Sequence, residues 1–370
     1  MIGLIPTGNK DALSAVRGFL RMLMERGALE ALYVPLETES GAILPALITD
    51  PARLERANPL APVMPINGAR AVSALTGKGA PARLGAVLRP CEARALIELV
   101  KLQQASLENV TLIEMDCPGT CEMSDYAAAQ RAGESNLPAF WDAASKGEPY
   151  PGVPLRPACQ MCTHSFPERA GIQIRWFGAD LAEGIPVELE DEIAGKLEMV
   201  PAAEELSDQR KLVIEGLQAE RERVRENELA AMRDRLFSDG GMAEIFATCI
   251  RCHNCMTACP ICYCKTCLFK TAAFDHTPEQ YLRAAQRKGA LRMLSDAMLF
   301  QMTRLNHMGT SCVSCGMCTS ACPSDIPVGM VFSAISSQVQ AAFEYVPGRD
   351  VAEPLPLITF QADEWTTIGE

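Results

Sequence analysis

No stretch of this 370-residue chain reaches the roughly 18 uninterrupted apolar residues that a membrane-spanning helix needs; a candidate such as Ala12 to Met24 is broken by Arg17 and Arg21. No membrane span is therefore expected. Met1-Ile2-Gly3-Leu4 opens without a basic segment followed by a long apolar run, so no signal peptide is expected and the protein reads as soluble and cytoplasmic. Positive charge is in deficit: 34 Lys and Arg stand against 46 Asp and Glu, a formal net charge of -12. Phosphate backbones are bound by Lys and Arg, so nucleic acid is excluded as a partner. No G-x-G-x-x-G follows a strand-like run, which removes the basis for a Rossmann dinucleotide site. No Ser/His/Asp nucleophile arrangement or paired-carboxylate motif stands out, so hydrolysis has no support.

What the chain has is cysteine, 16 of them. Eight fall into two copies of C-x2-C-x2-C-x3-C-P: Cys249, Cys252, Cys255, Cys259-Pro260, then Cys312, Cys315, Cys318, Cys322-Pro323. This is the ferredoxin run for 4Fe-4S cubanes, in which three close thiolates cap three irons and the fourth cysteine crosses to the other cluster. Structural zinc prefers paired C-x2-C knuckles, and disulfides do not call for the trailing Cys-Pro. The expected ligand sets are Cys249, Cys252, Cys255 and Cys322 for one cluster, and Cys312, Cys315, Cys318 and Cys259 for the other. Electron transfer is the function these thiols imply.

The first 185 residues read as α/β. Apolar runs Ile2–Ile5, Leu32–Val34, Ala46–Ile48, Leu84–Leu88, Val110–Ile113 and Ile172–Ile174 alternate with helical stretches such as Lys10–Glu25 and Glu92–Leu102. That alternation predicts a mostly parallel sheet. Cys91 and Cys117 follow two of these strands, while Cys159 and Cys162 lie in a Pro-rich loop. Carboxyl ends of parallel strands are where ligands bind.

Pro90-Cys91-Glu92-Ala93-Arg94-Ala95-Leu96, Ile113-Glu114-Met115-Asp116-Cys117 and Arg156-Pro157-Ala158-Cys159-Gln160-Met161-Cys162 together resemble the beta subunits of coenzyme F-420-reducing hydrogenases and related formate dehydrogenases. The resemblance covers about residues 1 to 185. It implies a third 4Fe-4S cluster on Cys91, Cys117, Cys159 and Cys162, beside an FAD that exchanges hydride with a deazaflavin or a carrier such as NAD(P)H. Cys121 is then a spare thiol.

Residues 186–240 are expected to be a charged helical connector, with Val213, Leu217, Val224 and Ala231 on one stripe and the rest solvated or facing a partner. Residues 241–335 form the cluster-bearing domain. In its spacer, Thr277-Pro278-Glu279-Gln280 is a capping box opening a helix. Leu291, Leu294, Met298, Met302 and Leu305 continue the helical stripe to Gly309 and are expected in the core. This helical spacer resembles the all-α dicluster ferredoxins of heterodisulfide reductase and succinate dehydrogenase iron-sulfur subunits. Cys262, Cys264 and Cys267 add three thiols, either hydrophobic free cysteines or a metal or redox site for which His253, His164, His276 and His307 are candidate companions. Residues 336–370 read as an extended arm.

The expectation is an iron-sulfur flavoprotein subunit of an anaerobic oxidoreductase complex. It would pass electrons between a hydride carrier or a formate dehydrogenase or hydrogenase partner and a heterodisulfide-reductase-like partner. The alternative is a non-catalytic electron wire carrying clusters without flavin.

Overall fold

The computed structural model describes residues 1–8, 11–133, 136–148, 154–168, 170–197, 199, 207–290 and 296–358. The chain divides into two compact units, Met1–Arg225 and Glu226–Glu370.

The first unit is built on seven strands: β1 (Ile2–Ile5), β2 (Ala31–Glu37), β3 (Ile43–Ile48), β4 (Leu84–Leu88), β5 (Val110–Met115), β6 (Ile172–Ile174) and β7 (Ile185–Leu189). They form one sheet in the order β1-β7-β6-β5-β4-β2-β3. Its centre is parallel, β2 on β4, β4 on β5 and β5 on β6, and both edges close with antiparallel pairs. Buried on both faces, β4 is apolar throughout, as central parallel strands are. The α/β expectation holds. The sheet runs past residue 185, because β7 inserts between β1 and β6 by long-range pairing that a short local run does not announce.

Among the described residues eight α-helices accompany the sheet: α1 (Ala12–Glu25), α2 (Ala69–Thr76), α3 (Pro90–Lys101), α4 (Met123–Ala132), α5 (Leu137–Ser145), α6 (Pro157–Gln160), α7 (Asp191–Leu197) and α8 (Ser207–Leu236). Asp11 caps α1 by accepting from Ser14 N at 3.1 Å, and the helix buries Val16, Phe19, Leu20, Leu23 and Met24 along one face. In α3, Pro90 sits at the first turn while buried Glu92 reaches back to accept from Arg89 N at 2.8 Å and Gly68 N at 2.7 Å. This satisfies amides that a helix start leaves open and holds Cys91 in the first turn.

The second unit is helical among the described residues. After the end of α8 come α9 (Gly241–Ile245), α10 (Asn254–Ala258), α11 (Pro278–Lys288), α12 (Ala297–Met308), α13 (Met317–Ser320) and α14 (Val328–Ala342). Thr277 N donates to Gln280 Oε1 at 2.7 Å, as the capping box requires. The spacer is helical but is not one continuous helix: α11 ends at Gly289 in the left-handed conformation, and α12 starts afresh. Leu291 and Leu294 lie outside the described residues. Met302 is 55% exposed, and the buried face of α12 is Ala297, Phe300, Gln301, Arg304 and Met308. The expected methionine stripe is thus offset from the face that packs, because that face carries polar groups aimed at a thiol. The expected arm starts helical, since α14 continues to Ala342. Among the described residues no helix is long and apolar enough to cross a membrane.

Candidate metal centres

In the second unit the duplicated cysteine spacing is matched by a duplicated backbone. Arg251 and His253 in the first motif have φ of 56° and 61°; Ser314 and Gly316, at the same offsets in the second, have 56° and 73°. Alternating left-handed residues curl each loop into a concave nest of N-H groups. Each loop then runs into a short helix that carries the third cysteine, Cys255 in α10 and Cys318 in α13. Cys255 is buried, Cys252 exposed, and the other six motif thiols half-buried.

The two motifs face each other. Burial pushes the Cys318 thiol well up, and among nearby charges Cys259 of the first motif contributes most. Burial likewise raises Cys312, with Cys259 again adding to the rise. Cys255 is raised by burial and restrained by the Arg304 guanidinium, with Cys249 and Cys252 also nearby. Next to Cys318 the chain comes very close: a Cβ on Gly329 would stand 2.9 Å from Thr319 Oγ1 and 3.4 Å from Cys318 Sγ.

Near the carboxyl ends of β4 and β5, Cys117, Cys159 and Cys162 lie within reach of one another's charge, and Cys91 shares the neighbourhood of Arg94 with Cys162. Burial pushes Cys117 up to about 11, with Cys159 and Cys162 adding to the rise and Arg89 opposing it. Arg89 is itself held by Nη2 donating to the Ala61 and Val63 carbonyls at 2.7 and 2.8 Å. Burial drives Arg94 below its ordinary value while the charges of Cys162 and Cys91 hold it up, so both thiols lie within electrostatic reach of one guanidinium. Burial works to raise Cys159, yet Arg156 and the Thr120 hydroxyl bring it below the usual thiol value; Thr120 Oγ1 is 3.4 Å from its sulfur. Gly119, at φ +114°, passes where a Cβ would stand 2.9 Å from Leu155 Cδ1, so only glycine fits between Cys117 and the Cys159 loop.

The connector helix takes part in this site, contrary to the reading of a solvated linker. Arg221 on α8 donates to the Pro118 carbonyl at 2.6 Å and the Cys162 carbonyl at 3.3 Å, and Arg210 pairs with Asp116. Val213 is buried whereas Ala231 is exposed. Arginines in a charged run look solvated in sequence, and their acceptors lie up to 103 positions away.

Cys121 is core: its thiol donates to the Pro62 carbonyl at 2.9 Å within a small apolar cluster. Cys262 is buried, Cys264 exposed, and Cys267 Sγ lies 3.7 Å from Met256 Sδ. His253 makes a tilted ring contact with Phe300, His276 faces Asp296 at 3.4 Å, His307 is exposed, and the His164 carbonyl accepts from Cys162. Among the described residues no three His, Cys, Asp or Glu side chains converge on a single ion. A cubane asks for less convergence, because each thiolate binds a different iron. All-sulfur donor sets and a glycine at close approach fit such a group in both units, and in the second unit the two left-handed loops add nests of N-H groups.

A pocket of about 450 Å³ opens beside the N-terminal thiols, lined among others by Pro118, Phe140, Leu155, Gln160, Leu217 and Arg221. Mostly apolar walls with a few polar groups are the usual make-up of a cofactor site.

A family model described as a 4Fe-4S dicluster domain matches residues 244–326. The chain is 25% identical over 310 residues to the F420-dependent formate dehydrogenase subunit beta of Methanocaldococcus jannaschii, covering 74% of this chain and 75% of that one. Identity is also 25% over 311 residues with the F420-dependent formate dehydrogenase 1 subunit beta of Methanococcus maripaludis, at the same coverages. Among solved structures, a chain of the F420-reducing hydrogenase complex from Methanosarcina barkeri aligns at TM-score 0.46 and 12% identity, over 65% of this chain and 94% of that one.

Proposed function

We propose that this chain is the iron-sulfur electron-transfer subunit of a formate dehydrogenase or hydrogenase type of complex. The single observation that carries this reading is the pair of matching thiol loops, repeated in both spacing and backbone, within the segment matched by a dicluster domain. The relatives' names supply the class of complex.

In this reading Cys249, Cys252, Cys255 and Cys322 hold one 4Fe-4S cluster, and Cys312, Cys315, Cys318 and Cys259 the other. The influence of Cys259 on Cys312 and Cys318 supports the crossing. Cys91, Cys117, Cys159 and Cys162 hold a third, with Arg89, Arg94 and Arg156 offsetting its negative charge. FAD would occupy the pocket beside that third site, with Phe140, Leu155 and Leu217 excluding water from its ring and Arg221 and Gln160 placed to orient its polar edge. Bound there, it would supply the conversion between a two-electron hydride and single electrons. The other end of the electron path in this scheme is a heterodisulfide-reductase-like partner. The second reading, a cluster-only electron wire, is favoured by the missing G-x-G-x-x-G.

Anaerobic reconstitution of the full chain tests both. About 12 irons and 12 labile sulfides per chain are expected of three cubanes. A value near eight would remove the N-terminal cluster. Stoichiometric FAD retained after gel filtration supports the flavoprotein; none bound, even from excess cofactor, leaves the wire.

A further inference from the structure

Three thiols outside the proposed ligand sets share one short segment after the first motif: Cys262, Cys264 and Cys267. Their surroundings differ. Cys262 is buried, Cys264 exposed and Cys267 half-buried. The charges of Cys264 and Cys267 both act on Cys262, so the three sulfurs occupy one neighbourhood. Among the described residues, however, no three such side chains converge on a single ion.

The segment is held at both ends. Cys262 N donates to the Cys259 carbonyl at 3.3 Å, and the Cys267 carbonyl accepts from Lys270 N at 2.9 Å. The Cys267 thiol donates to Sδ of buried Met256 on α10 at 3.7 Å. Between Cys264 and Cys267 the chain bends, at exposed Lys265 and Thr266. A disulfide asks for Cα atoms roughly 4–7 Å apart, the span across a four-residue turn. Cys264-Lys265-Thr266-Cys267 is thus a C-x-x-C loop with one thiol in solvent and a second, sheltered one across the bend. That spacing, with a lysine beside the exposed thiol, favours the reactive thiolate. Residues 261–271 hold Lys265 and Lys270 but no Asp or Glu, in a chain of net charge -12. This local excess of positive charge favours the approach of anions.

We propose that Cys264 and Cys267 are a redox-active dithiol whose oxidant is a small, carboxylate-bearing disulfide. The Cys264 thiolate attacks one sulfur of that disulfide, whose S–S bond breaks; a mixed disulfide forms on Cys264 and the first small thiolate leaves. Cys267 gives its proton to solvent and attacks Cys264 Sγ, closing a Cys264–Cys267 bond and releasing the second small thiolate. The two released thiolates take up the two protons that the cysteines lost, so the pair loses two electrons and the small disulfide gains them. An excess of the small thiol reopens the bond by the reverse exchange. Cys262, sheltered from solvent, takes no part. None of the three is a proposed cluster ligand, so the pair stands or falls apart from the cluster assignment.

The experiment exposes the reconstituted full chain, without oxygen, to excess oxidised glutathione, blocks the remaining thiols at low pH and digests the chain with trypsin. Trypsin cuts after Arg251, Lys265 and Lys270, so mass spectrometry should find residues 252–265 joined to residues 266–270. Cys264→Ser, a change at an exposed site, should abolish both the joined peptides and any glutathione on this segment. Cys267→Ser should trap glutathione on Cys264, and Cys262→Ala should leave the joined peptides in place. Lys265→Gln, followed by release of reduced glutathione, should react a few-fold more slowly; an unchanged rate would overturn the preference for an anionic disulfide. Wild-type chain that yields no joined peptides would overturn the proposal. So would their persistence in Cys264→Ser, which puts the bond on Cys262, or loss of iron in step with their appearance, which traces the thiols to a dismantled cluster. Bound zinc or copper that must be chelated before the thiols react would make the segment a metal site and overturn the dithiol.

Discussion

Arg210 Nη2 donates to Asp116 Oδ1 at 2.7 Å, joining α8 to the residue that precedes Cys117 across 94 positions of chain. Asp116 is buried at the end of β5, where its carboxylate also accepts from Phe177 N at 2.7 Å and its carbonyl from Trp176 Nε1 at 2.8 Å. The connector helix is thereby tied to the strand end that presents a candidate cluster ligand.

Removing one partner of this pair leaves a buried carboxylate uncompensated. Arg210→Ala should cost about 3–5 kcal/mol of stability in the first unit. Asp116→Asn should cost less, since the Arg210 guanidinium it leaves unpaired is partly exposed and can reach water, and the double variant should cost less than the two singles added. Urea denaturation followed by circular dichroism would read these differences. Additive effects would show that the pair is not coupled.

Crossed ligation makes a prediction of its own. Cys259→Ser should alter the cluster of Cys312, Cys315 and Cys318, on whose thiols Cys259 already acts, and Cys322→Ser should alter that of Cys249, Cys252 and Cys255. Magnetic resonance spectra of the two variants would sink this assignment if each changed only the cluster of its own motif.

Burial, with a contribution from Glu168, raises the Glu114 carboxyl from its ordinary value to about 8. The folded chain therefore binds a proton that the unfolded chain has released between about pH 4.5 and 8. Stability from this group is full below the lower value and is lost as pH rises through the upper one. Glu114→Gln should flatten the decline and be more stable than wild type at pH 8.5, by at most on the order of 5 kcal/mol. Thermal unfolding at pH 6 and pH 8.5 gives the comparison; parallel pH dependence in both proteins would contradict it.

The matched loop backbones can be tested by exchange of residue types. Gly316→Ala places a side chain at φ +73° and should cost about 1–2 kcal/mol, seen as lower thermal stability and faster loss of iron. His253→Gly relieves the same geometry in the first loop but gives up the tilted ring contact with Phe300 at 4.7 Å, so a change within about 1 kcal/mol is expected. A cost for His253→Gly as large as that for Gly316→Ala would mean that the histidine ring, not the backbone, governs that loop.

Local chemistry explains what could be read from the sequence. β1 and β4 begin and end where their apolar runs do, and the Thr277 capping box opens α11 as its residues require. The two Cys-Pro motifs announce themselves because ligand spacing along a loop is a covalent property. These features depend on residues a few positions apart, where side-chain type and backbone preference suffice.

Tertiary structure decided the rest. β7 is a short run whose place depends on pairing with β1 and β6. The stripe through Met298 and Met302 has helical period, but period alone does not say which face packs; the interior takes Gln301 and Arg304 because Cys255 lies opposite them. In α8, Arg210 and Arg221 resemble their solvated neighbours until the acceptors at Asp116, Pro118 and Cys162 are brought to them. A buried charge is recognised by its partner, and a partner distant in sequence becomes a neighbour only when the chain has folded.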